Sequence, residues 1–178
     1  MRTRRYLSAI AAAALLWGTT CMAETQGDVG PTSQGTSVIS MTIPKLVLIT
    51  GMANLAFGTY DGQGDETLDE DICIYSNMEA AGNTYQVTAT GSGAASAFTI
   101  TDSTDTIAYT LKYNDEASPN GVAIDTPGSP LELQTGWTND AACSSDNANY
   151  QVTFAESDLL AVHNGVYSGT LTLLIEPE

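Results

Sequence analysis

Residues 35–50 read GTSVISMTIPKLVLIT, an apolar-rich extended segment interrupted once, at Pro44. Before the proline, Ile39, Met41 and Ile43 fall on one face and Val38, Ser40 and Thr42 on the other. A period of two marks a half-buried β-strand, and the eight residues 36–43 would reach about 26 Å. Proline has no N–H to give to a ladder, so Pro44 belongs at an edge, a bulge or a break between two strands. After it, Leu46, Val47, Leu48 and Ile49 form a continuous apolar run, the pattern of a strand buried on both faces. The segment therefore predicts β-structure on each side of a break.

Upstream, residues 1–23 combine a basic start (Arg2, Arg4, Arg5), an apolar run over 10–17 and small residues near Cys21 and Ala23. This predicts a secretory signal peptide over 1–23, because the run is too short to span a bilayer as a membrane anchor. Residues 24–35 are rich in Gly, Ser, Thr and Pro without periodicity and read as a flexible leader. The whole sequence carries 5 Lys and Arg against 21 Asp and Glu, a formal net charge of −16. Three of the five lie in the signal, so from Glu24 onward 5 − 3 = 2 lysines, Lys45 and Lys112, face all 21 acids, or −19. Nucleic acids and anionic membrane surfaces need clustered Lys and Arg, and this composition argues against both as partners.

Downstream of Pro44 the same alternation recurs in short pieces. Strands are expected over 71–76, over Tyr85, Val87 and Ala89, around Phe98 and Ile100, over 107–113, briefly at 122–124, and at Leu131 and Leu133. Two more are expected over Tyr150, Val152 and Phe154 and over 167–175, where Tyr167, Leu171, Leu173 and Ile175 share a face. Gly, Asn, Asp and Pro separate these runs, for example Pro119-Asn120-Gly121 and Pro127-Gly128. No amphipathic helix of ten or more residues follows the signal. The chain is thus expected to be all-β, a sandwich of about seven strands over 44–178.

Few residues carry reactive chemistry. Cys73 and Cys143 are the two cysteines beyond the signal, and export makes their pairing in a disulfide the expectation. The single histidine, His163, precedes Asn164-Gly165 and reads as a solvated turn residue. The acidic stretch 61–71, DGQGDETLDED, reads as a solvated loop, or alternatively as a calcium site using Asp61, Asp65, Asp69 and Asp71. Its spacing does not match an EF-hand loop. With no GxSxG, no phosphate-binding loop and no dinucleotide glycine pattern, neither an enzyme nor a cofactor is expected.

In order along the chain, SVISMTI, then PKLVLI, LAFGTYD, YQVTF and GVYSGTLTLLIEPE resemble bacterial chaperone-usher fimbrial subunits, of the alpha-class or spore coat protein U-like archaic pilins. FGTYD (57–61) and GVYSGTLTL (165–173) carry most of the likeness. The resemblance implies an immunoglobulin-like pilin sandwich that lacks its last strand and is completed by an N-terminal donor strand from the next subunit. It also implies identical or related pilin subunits, a periplasmic chaperone and an outer-membrane usher as partners, with export to the cell surface. The implied role is a structural fimbrial subunit contributing to adhesion or biofilm formation. Transferred to this sequence, the donor strand is 36–43, with Val38, Ile39, Met41 and Ile43 as its apolar residues and the Ile39, Met41, Ile43 face buried. The alternatives are a self-complete sandwich in which 36–43 is simply the first strand, and a secreted monomeric module that binds carbohydrate or calcium.

Overall fold

The computed structural model describes residues 24–78 and 84–178. The signal reading of 1–23 lies outside the described residues. The chain divides into two compact units, Met1–Ile43 and Pro44–Glu178.

In the described part of the first unit, Thr25 and Thr36 form an isolated antiparallel bridge. The Thr36 N–H donates to the Thr25 carbonyl at 2.9 Å, and the two hydroxyls are in contact. The leader is thus closed into a loop rather than left without pairing. Residues 37–43 belong to no ladder, and their apolar side chains are exposed: Ile39 by 95%, Met41 by 87%, Ile43 by 68% and Val38 by 58%. The alternation at 36–43 specifies a strand, but a strand forms only against a partner edge.

The second unit contains β1 (Val47–Thr50), β2 (Glu66–Ser76), β3 (Tyr85–Gly91), β4 (Thr99–Thr101) and β5 (Thr106–Ala108). It continues with β6 (Thr110–Asn114), β7 (Val122–Ala123), β8 (Pro130–Gln134), β9 (Ala148–Phe154), a one-turn helix α1 (Glu156–Leu159) and β10 (Leu171–Pro177). One antiparallel sheet has the order β1-β2-β9-β6-β7, a second β10-β3-β8, and β4 pairs with β5 alone. This is an all-β sandwich. The strand expected over 107–113 is divided at Tyr109: β5 pairs with β4, and β6 with β9 and β7.

Alternate residues point inward as the pleat requires. Ile72 and Ile74 from β2, Tyr85 and Val87 from β3, Leu111 and Tyr113 from β6, and Tyr150 and Val152 from β9 are buried, with Leu173 and Ile175 from β10. The Tyr85 and Tyr113 hydroxyls meet at 2.9 Å, and Tyr85 also donates to the Gly136 carbonyl at 3.1 Å. Burial pushes both phenols well above their ordinary range, so they remain neutral donors. Gly136 lets the backbones approach that closely, because a Cβ there would stand 1.7 Å from the Asp115 carbonyl oxygen.

Two expectations need correction. The apolar run at 46–49 is not buried on both faces: β1 is the edge strand of its sheet, and Leu48 is 44% exposed. Most of the acidic run is not a loop either, since Glu66 to Asp71 pair with β9. Thr67, Asp69 and Asp71 alternate outward, so the pleat keeps their polar groups in water while the strand still forms its ladder.

The expected disulfide joins Cys73 to Cys143, with Cα atoms 5.8 Å apart. It fastens β2 to the loop after β8. That loop also completes the β2 ladder: Ile74 N–H donates to Asn147 Oδ1 at 2.8 Å, and Asn147 Nδ2 donates back to the Ile74 carbonyl at 3.0 Å. A side-chain amide here takes the place of a neighbouring strand.

Candidate functional site

β10 is paired to β3 along one edge, from Leu171↔Gly91 to Pro177↔Tyr85, and among the described residues its other edge has no strand partner. β1 is likewise an edge. Gly51, with φ of 88°, takes the chain out of β1, and residues 52–60 continue without forming a ladder. Residues 163–170 approach β10 with one isolated bridge, Thr101↔Ser168. Between these two stretches lies an open groove of about 960 Å³. Ile100, Ile107, Tyr109, Tyr150, Val152 and Phe154 line it from the core side; all but Ile100 are buried, and Ile100 is half-buried.

The wall at 52–60 is positioned by aromatic packing. Phe57 meets Phe154 edge-on with centroids 4.8 Å apart, and Tyr109 meets the same ring at 5.7 Å. The Tyr150 hydroxyl donates to the Ala53 carbonyl at 3.2 Å. At the far end, Gly64 N–H donates to Glu156 Oε1 at 3.1 Å and Glu156 N–H to Asp65 Oδ1 at 2.8 Å, tying the turn before β2 to α1.

The opposite wall is held by polar contacts. Thr101 and Ser168 exchange backbone hydrogen bonds at 3.0 and 3.1 Å, and Thr170 N–H donates to Ser92 Oγ at 2.9 Å. His163 is not simply a solvated turn residue: Nδ1 lies 2.5 Å from Asp105 Oδ2 and Nε2 2.9 Å from Asp102 Oδ2. The hydrogen bond to Asp105 raises the imidazole above its ordinary value, and the charge of Asp102 adds to this. Asp105 is lowered chiefly by His163, and Asp102 chiefly by the backbone N–H groups of Asp105 and Thr104.

The residues singled out in the sequence fall in separate places. Val38, Ile39, Met41 and Ile43 lie in the first unit, exposed and outside any ladder. Asp61 accepts from Gln63 N–H in a turn, Asp65 accepts from Glu156 N–H, and Asp69 and Asp71 both accept from Asn149 Nδ2, at 2.9 and 2.8 Å. Among the described residues no three His, Cys, Asp or Glu side chains gather in a way that could hold a metal ion. The groove walls and the His163 contacts were not foreseen, although FGTYD and GVYSGTLTL each supply part of one wall.

No protein-family model matches the chain, and no curated protein matches it. Among solved structures, it is similar to a chain from a chaperone–tip adhesin complex of CFA/I fimbriae biogenesis, with a TM-score of 0.52 and 14% identity. The alignment covers 74% of this chain and 41% of that one, so this chain spans about two-fifths of the length of the protein it matches. What the two share is the fold, an antiparallel β-sandwich. In this chain that sandwich leaves an apolar groove that meets β10, whose outer edge has no strand partner among the described residues, at its first residue, Leu171.

Proposed function

We propose that this protein is a structural subunit of a surface fimbria, with the groove accepting a β-strand from a neighbouring copy and residues 36–43 being the strand it donates. One observation carries the reading: an apolar groove that meets the unpaired edge strand at Leu171, in a chain that also holds an exposed, unpaired segment of strand periodicity. Strand addition joins the two by physics already present in each. Backbone groups along the edge gain hydrogen bonds, and alternate side chains enter the groove and set the register. The face with Ile39, Met41 and Ile43 is the inserting face, since it is the more apolar. Eight residues span about 26 Å, enough to run beside the seven of β10.

Each such contact is head to tail and does not close on itself, so repetition gives a filament. An exposed groove in an unassembled subunit is an aggregation hazard, which a periplasmic chaperone would cover before an usher passes subunits outward. The fold likeness to a chain from a chaperone–adhesin complex supports partners of this kind. The role is one of assembly and adhesion rather than catalysis.

The test compares the full exported chain with a chain lacking 24–43 and with Ile39→Asp/Met41→Asp/Ile43→Asp, using size-exclusion chromatography and electron microscopy. Wild type should form filaments, both variants should fail to, and the deleted chain should still bind a synthetic 36–43 peptide. A wild-type chain that stays monomeric and a deleted chain that ignores the peptide would overturn the reading.

A further inference from the structure

His163 is the chain's one histidine and stands in the groove wall that leads into β10. Its two ring nitrogens face two carboxylates, Nδ1 toward Asp105 and Nε2 toward Asp102. An ionised carboxylate only accepts, so both contacts are attractive only when both nitrogens carry a proton. A neutral ring would turn a lone pair toward one of the two oxygens. The acceptors are fixed independently of the ring: Asp102 Oδ1 accepts from Thr104 and Asp105 N–H at 2.9 and 2.8 Å, and Asp105 Oδ2 also accepts from His163 N–H at 3.1 Å. Loss of the ring proton therefore weakens the side-chain contacts while the carboxylates stay in place.

We propose that His163, Asp102 and Asp105 form a pH-dependent clasp that fixes residues 163–167 of the groove wall to the β4–β5 hairpin, so that acid preorganises the groove and slows release of a bound strand. The part concerning strand release rests on the strand-acceptor reading above; the clasp itself does not. The charged groups facing the ring are Asp102 and Asp105, both from the hairpin. From its own segment, Tyr167 presents its ring with centroids 6.3 Å apart and donates its hydroxyl to the His163 carbonyl at 2.9 Å. The Tyr167 phenol is raised by desolvation and by the two aspartates, and so stays neutral throughout the range in which the imidazole titrates.

The sign follows from the directions of the shifts. A folded imidazole held above its ordinary 6.5 contributes fully below 6.5, and the contribution is lost as pH rises through the folded value. Asp102 and Asp105 are held below 3.8, so the acid limit comes only when pH falls through their own lowered values. Neither the Thr101–Ser168 backbone pair nor the His163 N–H bond to Asp105 depends on the ring proton, so the wall remains anchored at 163 and 168. What is lost is the ring's own hold on the hairpin, which loosens the stretch between those two points. A protonated clasp pre-orders part of the wall that a bound strand needs, and preorganisation acts mainly through slower dissociation.

The experiment uses the untagged chain, whose one histidine gives a single imidazole resonance. Its titration midpoint should lie above 6.5 and fall in Asp105→Asn and, separately, in Asp102→Asn. Amides of 163–167 should exchange more slowly at about pH 5.5 than at about pH 8.5 after correction for intrinsic rates, and His163→Gln should remove that difference. A midpoint at or below 6.5, or protection that does not depend on pH in wild type, overturns the clasp. In the chain lacking 24–43, dissociation of the 36–43 peptide should be slower at the lower pH, and His163→Gln should abolish the dependence. Peptide binding that is equal at both pH values overturns the regulation. A correct titration with no peptide binding at either pH leaves the clasp standing and sinks the strand-acceptor reading.

Discussion

Cys73 sits between the fully buried Ile72 and Ile74 in β2, and its partner Cys143 occupies a loop position with φ of 48°. The bridge closes a separation of 70 residues, for which the chain-entropy argument gives roughly 4 kcal/mol of stabilisation. Replacing both cysteines with alanine is therefore expected to lower the unfolding free energy by about that amount, measured by urea denaturation. A loss under about 1 kcal/mol would mean that the Asn147 contacts with Ile74, together with Thr138, whose N–H donates to the Ile74 carbonyl at 2.9 Å and whose carbonyl accepts from Ser76 N–H at 2.8 Å, hold this loop without the bridge. The pairing was legible because only two of the three cysteines lie beyond the expected signal, and two cysteines have one intramolecular way to join. His163 was not: its partners stand at 102 and 105, with Asp105 58 residues away, and its neighbours Asn164 and Gly165 speak only of a turn. Local chemistry announces itself in the sequence, whereas a contact made by folding across a sheet does not.

At the level of elements, periodicity specifies which side chains share a face but not what covers that face. Of the strand expected over 167–175, the Leu171, Leu173 and Ile175 stripe was read correctly because Leu173 and Ile175 turn into a core that the same chain supplies. β10 begins only at Leu171, however, and 167–170 form one isolated bridge and no ladder. The run at 46–49 was misread because apolar residues on two faces need two neighbours, and β1 is an edge. At 36–43 the strand pattern is clear, yet the chain itself provides no ladder for it. A groove was implied by the resemblance to a sandwich that lacks its last strand, but its lining was not legible, since Tyr109, Tyr150 and Phe154 read as ordinary core residues and are buried as such. The wall at 52–60 rests largely on Phe57 against Phe154. Phe57→Ala should cost about 2 kcal/mol, below the 3–5 typical of a fully buried phenylalanine because this ring is only half-buried. The same variant should bind the 36–43 peptide more weakly. A change under about 0.5 kcal/mol in urea denaturation would show that the wall does not depend on the ring pair.

For the molecule as a whole, charge works against the proposed assembly. The formal net charge is −16, and beyond the expected signal two lysines face 21 acids, so copies approaching end to end repel each other. The repulsion acts over about 30 Å at 0.01 M salt but only about 8 Å at 0.15 M. Filament formation by purified chains should therefore accelerate several-fold over that interval, followed by light scattering, and then level off once screening is complete. The isolated 36–43 segment, TSVISMTI, has no ionisable side chain, so its peptide should enter the groove at nearly the same rate across the series. The pair of measurements separates the two contributions: the peptide reports groove and strand alone, and the filament reports the same insertion with two acidic domains attached. If filament growth instead slowed as salt rose, the contacting surfaces would have to attract. The attraction would then have to come from Lys45, Lys112 or protonated His163, the side-chain cations beyond the expected signal.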